Sequence, residues 1–324
     1  MLDVRPPSSE WLVCEDGGGI RQTNLLLEPA GKQLLRLPAS TNDVVKRIVP
    51  PLVLIVAASA AQAQGIKWFL SLEFAKSVAL KTGRLLMVDF YSDGSSPSQR
   101  LVSGVYTQAD VIAASRAFVP VRLNATMDGS FYAREYRVNR FSTIYFLEPS
   151  GRVVSRAVGF QPVAQLLFEM NRAMQVYRER KVFEPRLKRN PNDLEAMIVM
   201  AKARALAVDP LGARALLERA EVLLPPEGNS RIAGAYNALG DYYQSEGQHD
   251  LAIGLFMKAK AASKNPADSA YAQISIGSSY LQSGRNALAI AALRSALEIK
   301  GISPRDRMTA ERLLGAAGVG ARLR

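Results

Sequence analysis

The chain has 324 residues, 48% of them hydrophobic and 22% charged, with a formal charge of +12. This fits two modest globular domains and excludes a chain disordered throughout. One cysteine, Cys14, and one histidine, His249, exclude an intrachain disulfide, zinc sites built from Cys and His, and a Cys-His nucleophilic pair.

Basic and acidic residues balance over positions 1–63, so the positive charge belongs to the rest of the chain. Basic surfaces suit acidic proteins, anionic lipid, wall polyanions or nucleic acid. Here the charges are spread out and no basic stretch is interleaved with aromatics. They are read as a solvated surface, with no nucleic-acid partner expected.

Residues 1–45 ("RPPSS", "DGGG", "LPASTND") show neither helical nor strand periodicity and are expected to be an unstructured extension or a mis-assigned start. "KRIVPPLVLIVAASAAQAQG" follows. Lys46 and Arg47 precede an apolar run, and small residues stand at Ala61 and Ala63. This is the pattern of a signal peptide over 46–63, cleaved after Ala63, and it implies a periplasmic or otherwise exported protein. The apolar run is short of the roughly 20 residues that span a bilayer, and Pro50 and Pro51 weaken a spanning helix. No stable membrane span is expected after cleavage; the alternative is a chain anchored by 48–61. Translation is expected to begin near Val44 or Val45, and cleavage removes Cys14.

Residues 65–182 form the first expected domain. "SLEFAKSVALKTG" places Leu72, Phe74, Ala75, Val78 and Ala79 near one helical face, with Gly83 as the stop. "RLLMVDFY" reads as a strand buried on both faces. A serine turn and a short helix follow. "TQADVIAASRAF" opens on a Thr107–Asp110 capping pattern. "VPVRLNA" is a strand, "GSFYAREYRV" a helix, and "STIYFLEPSGRVVSRAVG" a hairpin turning at Pro149-Ser150-Gly151. "PVAQLLFEMNRAMQVY" closes the domain as an amphipathic helix. Such a mixture predicts a central sheet with helices on both faces.

This order resembles the thioredoxin family, on "VDFYSD", "VYTQADV", "YRVNRFSTIYFLEPSGRV" and "VGFQP". The resemblance implies an α/β thioredoxin-like fold, a central mixed sheet flanked by helices. Ser95 and Ser98 stand where that family has its two cysteines, with Ser96 and Pro97 between them. Ser142 stands at the family's cis-proline, and Asp89 matches its buried acid. A serine hydroxyl forms no disulfide, so no catalytic residue and no oxidoreductase activity are expected. The serines are read as helix-cap residues, since no base accompanies them. Without proline, the Phe141–Ser142 bond is expected to be trans.

"RERKVFEPRLKRNPND" is basic and carries two prolines; residues 183–191 are expected to be a linker. Beyond it the chain repeats. Gly240, Tyr243, Gly247, Ala252, Phe256 and Ala259 recur 37 positions later as Gly277, Tyr280, Gly284, Ala289, Leu293 and Ala296. Ala201, Ala213, Leu217 and Ala220 form a weaker copy upstream. This resembles the tetratricopeptide repeat (TPR). The resemblance implies an all-α domain over 192–320, about three repeats and a capping helix over 306–318, with a longer inter-repeat turn. It implies a protein or peptide partner in a groove lined by the first helix of each pair. Helical phasing places Lys202, Asn237, Asp241, Gln244, Tyr271 and Ser278 on it.

The sequence therefore reads as an exported, non-catalytic adaptor or scaffold of the cell envelope, with no metal and no cofactor. The alternatives are a thiol-free accessory of a thiol:disulfide oxidoreductase pathway, or a scaffold that binds polyanionic wall material. The oligomeric state is not legible.

Overall fold

The computed structural model describes residues 65–225 and 228–322, which belong to one compact unit. The expectations for 1–45 and 46–63 lie outside the described residues. No described helix is long and apolar enough to cross a membrane.

The first element, α1 (Leu72–Thr82), is bounded by local chemistry. Ser71 accepts from the Phe74 N–H at 3.3 Å, and Gly83 ends the helix at φ 66°. Leu72, Ala75 and Ala79 are buried, whereas Phe74 is exposed and only leans on the Phe69 ring. It lies off the buried stripe that the sequence assigned to it.

Strands β1 (Leu85–Tyr91), β2 (Phe118–Asn124), β3 (Thr143–Leu147) and β4 (Val153–Val158) form one mixed sheet in the order β2-β1-β3-β4. β1 runs parallel to β2 and antiparallel to β3, and β3 pairs antiparallel with β4. Alternate β1 residues serve opposite faces. Leu86, Val88 and Phe90 pack with α1 and with Ala133 of α4 (Ser130–Glu135). Leu85 and Met87 face α2 (Ser96–Arg100), its π-turn continuation over Leu101–Val105, α3 (Ala109–Ser115) and α5 (Val163–Arg189). Covering both faces explains the unbroken apolar run. The expected central mixed sheet flanked by helices is what these residues form.

Two local expectations fail here. Thr107 does not cap α3, because its hydroxyl bonds back to the Ser103 carbonyl at 3.4 Å, and Gln108 holds the cap position while its amide donates back to the Gly104 carbonyl at 3.0 Å rather than capping the helix. The stretch 183–191 is not a linker either. α5 runs through Pro185 to Arg189, and Phe183 and Leu187 pack into the main core. Their spacing from Val176 and Arg180 continues one buried helical face. Pro185 forfeits one backbone bond on the exposed side.

Three helix pairs follow: α6 (Leu194–Leu206) with α7 (Pro210–Val222), α8 (Ile232–Ser245) with α9 (His249–Ala262), and α10 (Pro266–Gln282) with α11 (Asn286–Leu297). α12 (Pro304–Arg322) closes the run. Gly247 and Gly284 turn the second and third pairs at φ 77° and 75°. The same slot of the first pair is Val208, at φ 66°. Between the last two pairs the added length is not in the turn. It extends α10, which has 17 residues against 14 in α8.

The sheet and the helix pairs share a core. Leu166, Met170, Ala173 and Val176 of α5 belong to the same apolar cluster as Met197, Leu239 and Ile276. On another side, Val208 packs against the cluster shared by α1, α4 and the sheet. Arg156 of β4 pairs with Glu246 and donates to Ser245 Oγ at 3.1 Å.

Candidate functional site

Polar chemistry collects at the serine turn after β1 and at the seam between α5 and the first helices of the pairs.

At the turn, Ser95 is the N-cap of α2. Its Oγ accepts from the Ser98 N–H at 3.4 Å and donates to the Phe141 carbonyl at 2.9 Å. Ser96 is exposed and opens the helix with Pro97. Ser98 is buried, and its hydroxyl has no hydrogen-bond partner among the described residues. The Phe141–Ser142 bond is cis, against the expectation of trans. Packing and hydrogen bonds hold this loop. Ser142 is fully buried, its carbonyl accepts from Gly159 N–H at 2.7 Å, and its hydroxyl donates to Asp89.

Asp89 lies opposite Arg122 in the parallel register and pairs with its Nε at 3.2 Å. The Arg122 guanidinium also stacks 4.0 Å over the Tyr91 ring. Burial pushes the Asp89 carboxyl up, and the Ser142 and Arg122 contacts pull it only part of the way back. The acid therefore ties three elements together: β1, β2 and the loop before β3. Among the described residues no side-chain base is hydrogen-bonded to Ser95, Ser96 or Ser98. His249 opens α9, and among the described residues no three His, Cys, Asp or Glu side chains converge as a metal site.

The seam is richer. α5 lies across the first helices of the pairs along its length. Near its end, Arg186 pairs with Asp193 at 2.9 Å and Glu195 at 3.1 Å, at the start of α6. Near its beginning, Gln165 accepts from Arg305 of α12. The half-exposed Phe168 ring lies between the guanidinium groups of Arg172 and Arg305, at 5.6 and 5.7 Å.

Between those ends lies the Asp241–Tyr271 pair. The Tyr271 hydroxyl donates to both carboxylate oxygens of Asp241, at 2.7 and 2.8 Å. Burial pushes Asp241 up to about 6, against the Tyr271 bond and the attraction of Arg172. Glu169 adds repulsion, and burial raises its carboxyl too. Solvent still reaches the Tyr271 ring. Glu169 Oε2 is taken up by its ion pair with Arg172, whereas Arg172 Nε is buried without a hydrogen bond among the described residues. So is Asn237 Oδ1, one turn before Asp241 on the same face of α8. A polar group entering this seam gains bonds rather than losing them.

The six residues placed on the groove by phasing thus separate. Asn237, Asp241 and Tyr271 stand at the seam. Gln244 is spent inside the stack, donating to the Ser275 carbonyl at 3.2 Å and Ser279 Oγ at 2.7 Å. Ser278 accepts from Gln282 of its own helix at 3.1 Å, and Lys202 stands half-buried on α6. Sequence phasing missed Gln165, Phe168, Glu169, Arg172 and Arg305. The one available signal was the charged second face of α5, which a reading with a linker after it leaves in solvent.

The tetratricopeptide repeat family matches residues 233–266 and 270–302, the second and third helix pairs. The chain carries tetratricopeptide repeats. The matched repeats hold the small-large contacts, with Gly240 against Phe256 and Gly277 against Leu293. No curated protein matches the chain. Among solved structures it is similar to a thioredoxin from Thermus thermophilus, at 29% identity and a TM-score of 0.32, over 34% of this chain and 88% of that one. It is also similar to MamA, at 21% identity and a TM-score of 0.32, over 50% of this chain and 96% of that one.

Proposed function

We propose that the chain is an exported, non-catalytic adaptor of the cell envelope that binds a protein or peptide partner through its tetratricopeptide repeats. The observation that carries this reading is the seam at the first helices of the repeats. There, Asp241, Tyr271 and Arg172 meet beside buried polar atoms with bonding capacity to spare. The sheet unit is read as thioredoxin-like with its redox chemistry removed, its serines and Asp89 serving structure. Export rests on the pattern of residues 46–63.

Affinity capture from envelope extract tests the reading. Proteins held by the parent chain are expected to fall at least tenfold in yield with Tyr271→Ala or Arg172→Ala. Capture unchanged by both substitutions sinks it. N-terminal sequencing of the exported protein is expected to begin at Gln64.

A second reading is a thiol-free accessory of a thiol:disulfide exchange pathway. It is favoured by the turn keeping its helix cap and its bond to the Phe141 carbonyl. An insulin-reduction assay is expected to show no dithiol-dependent turnover. Selective capture of a thiol oxidoreductase through the sheet unit would favour this second reading.

A further inference from the structure

Away from the repeat seam, a cavity of 440 Å³ lies between the β3–β4 hairpin and the second half of α5. That is within the size of small-molecule sites. Four cations line it, Arg152, Arg180, Lys181 and Lys188, against two carboxylates, Glu148 and Glu184. Both carboxylates are already engaged by Arg152, which reaches Glu184 at 3.1 Å and Glu148 at 2.8 Å. The other three cations are left with little. Arg180 is 6% exposed and donates one bond, from Nη1 to the Val153 carbonyl at 2.7 Å. Its ion pair with Glu148 is long, at 3.4 Å, and its remaining nitrogens make no hydrogen bond among the described residues. Lys181 sits 4.3 Å over the Tyr177 ring. Neither Lys181 nor Lys188 has a carboxylate within 4.0 Å among the described residues.

A buried guanidinium is ordinarily matched by a well-placed anion. Burial lowers the affinity of Arg180 for its proton; the attraction of Glu148 and Glu184, both already shared with Arg152, opposes this, and the positive charges of Arg152 and Arg204 add to it. The uncommitted nitrogens of Arg180 and two exposed ammonium groups present donors from several directions. A doubly charged oxyanion neutralises the excess of two positive charges. We propose that this cavity binds a phosphate group, its oxygens taken by the uncommitted nitrogens of Arg180 and by Lys181 and Lys188. The phosphate belongs either to a small free compound or to an anionic lipid headgroup.

Titration calorimetry of the full chain with sodium pyrophosphate at low salt tests the first source. Flotation with vesicles containing phosphatidate tests the second. Both lysines are exposed, so Lys181→Glu with Lys188→Glu keeps the thermal melt of the parent and serves as the variant. Lys264→Glu is the charge control. Pyrophosphate binding weakened at least tenfold in the double variant and unchanged in the control supports a free phosphate compound. Vesicle binding lost in the same variant, without pyrophosphate binding, supports a lipid headgroup. Absence of binding in both arms, or equal binding by parent and double variant, overturns the proposal.

Discussion

Gly240 and Phe256 meet where α8 crosses α9, and the ring takes the space a side chain at 240 needs. A Cβ on Gly240 would stand 2.6 Å from the ring, and one on Gly277 would stand 2.6 Å from Leu293. In the first pair the corresponding slots are Ala201 and Leu217, both buried. Gly240→Ala is therefore expected to cost about 1–3 kcal/mol by overpacking. Adding Phe256→Leu, which copies the first pair, is expected to recover part of it. A double-mutant cycle by urea denaturation measures the coupling. Strict additivity would mean that the two side chains do not compete for one space.

Val208 holds a left-handed backbone, at φ 66°, that β-branched residues avoid. It also packs against the cluster shared by α1, α4 and the sheet. Val208→Gly relieves the backbone and loses the packing, so its net effect is expected to stay within about 1 kcal/mol. Gly247 has the same turn with nothing near its missing side chain. Gly247→Val is expected to cost about 1–2 kcal/mol with no gain to offset it. Thermal unfolding of the two variants side by side checks the contrast.

Asp241 makes stability depend on pH. Its carboxyl is raised from 3.8 to about 6 in the folded chain. Between those values the folded state holds a proton that the unfolded state has released. The contribution of Asp241 is thus most favourable below 3.8, falls as pH rises through the window, and carries the full penalty above about 6. Asp241→Asn keeps an acceptor for Tyr271 and removes the charge. It is expected to stabilise the chain at pH 7 by about 1 kcal/mol, discounted because solvent reaches the seam, and to flatten the slope between pH 4 and 6. Denaturation across that range reads both effects.

Ser142→Ala removes the hydroxyl that donates to Asp89. The carboxylate stays buried with Arg122 as its remaining strong partner. A loss of about 1–3 kcal/mol is expected at pH 7. The loss should shrink at low pH, where Asp89 is protonated in parent and variant alike. Urea denaturation at pH 4 and pH 7 tests the difference.

Much of the fold was legible because its causes are local. Ser71 and Gly83 bound α1 through their own capping chemistry. The run 85–91 is apolar throughout because both of its faces are covered. The repeat spacing carried the small-large contacts and glycine turns of the last two pairs without any knowledge of their neighbours. The serine cap of α2 was legible for the same reason, since the bond from the Ser98 N–H to Ser95 Oγ is made within the turn itself.

Decisions between distant elements were not legible. Phe183 and Leu187 carry α5 through the expected linker because a core reaches them from the repeats. Helical phasing placed Asp241 and Gln244 alike, yet Gln244 is consumed by α10 while Asp241 is left to face Arg172. Asp89 gained its role from Ser142 and Arg122, partners supplied by another loop and another strand. Capping and periodicity act within a few residues, so the sequence by itself determined most of the elements and the serine cap at the turn. Packing acts between surfaces far apart in the chain, so only the tertiary structure decided which polar side chains are consumed in holding the fold and which are not.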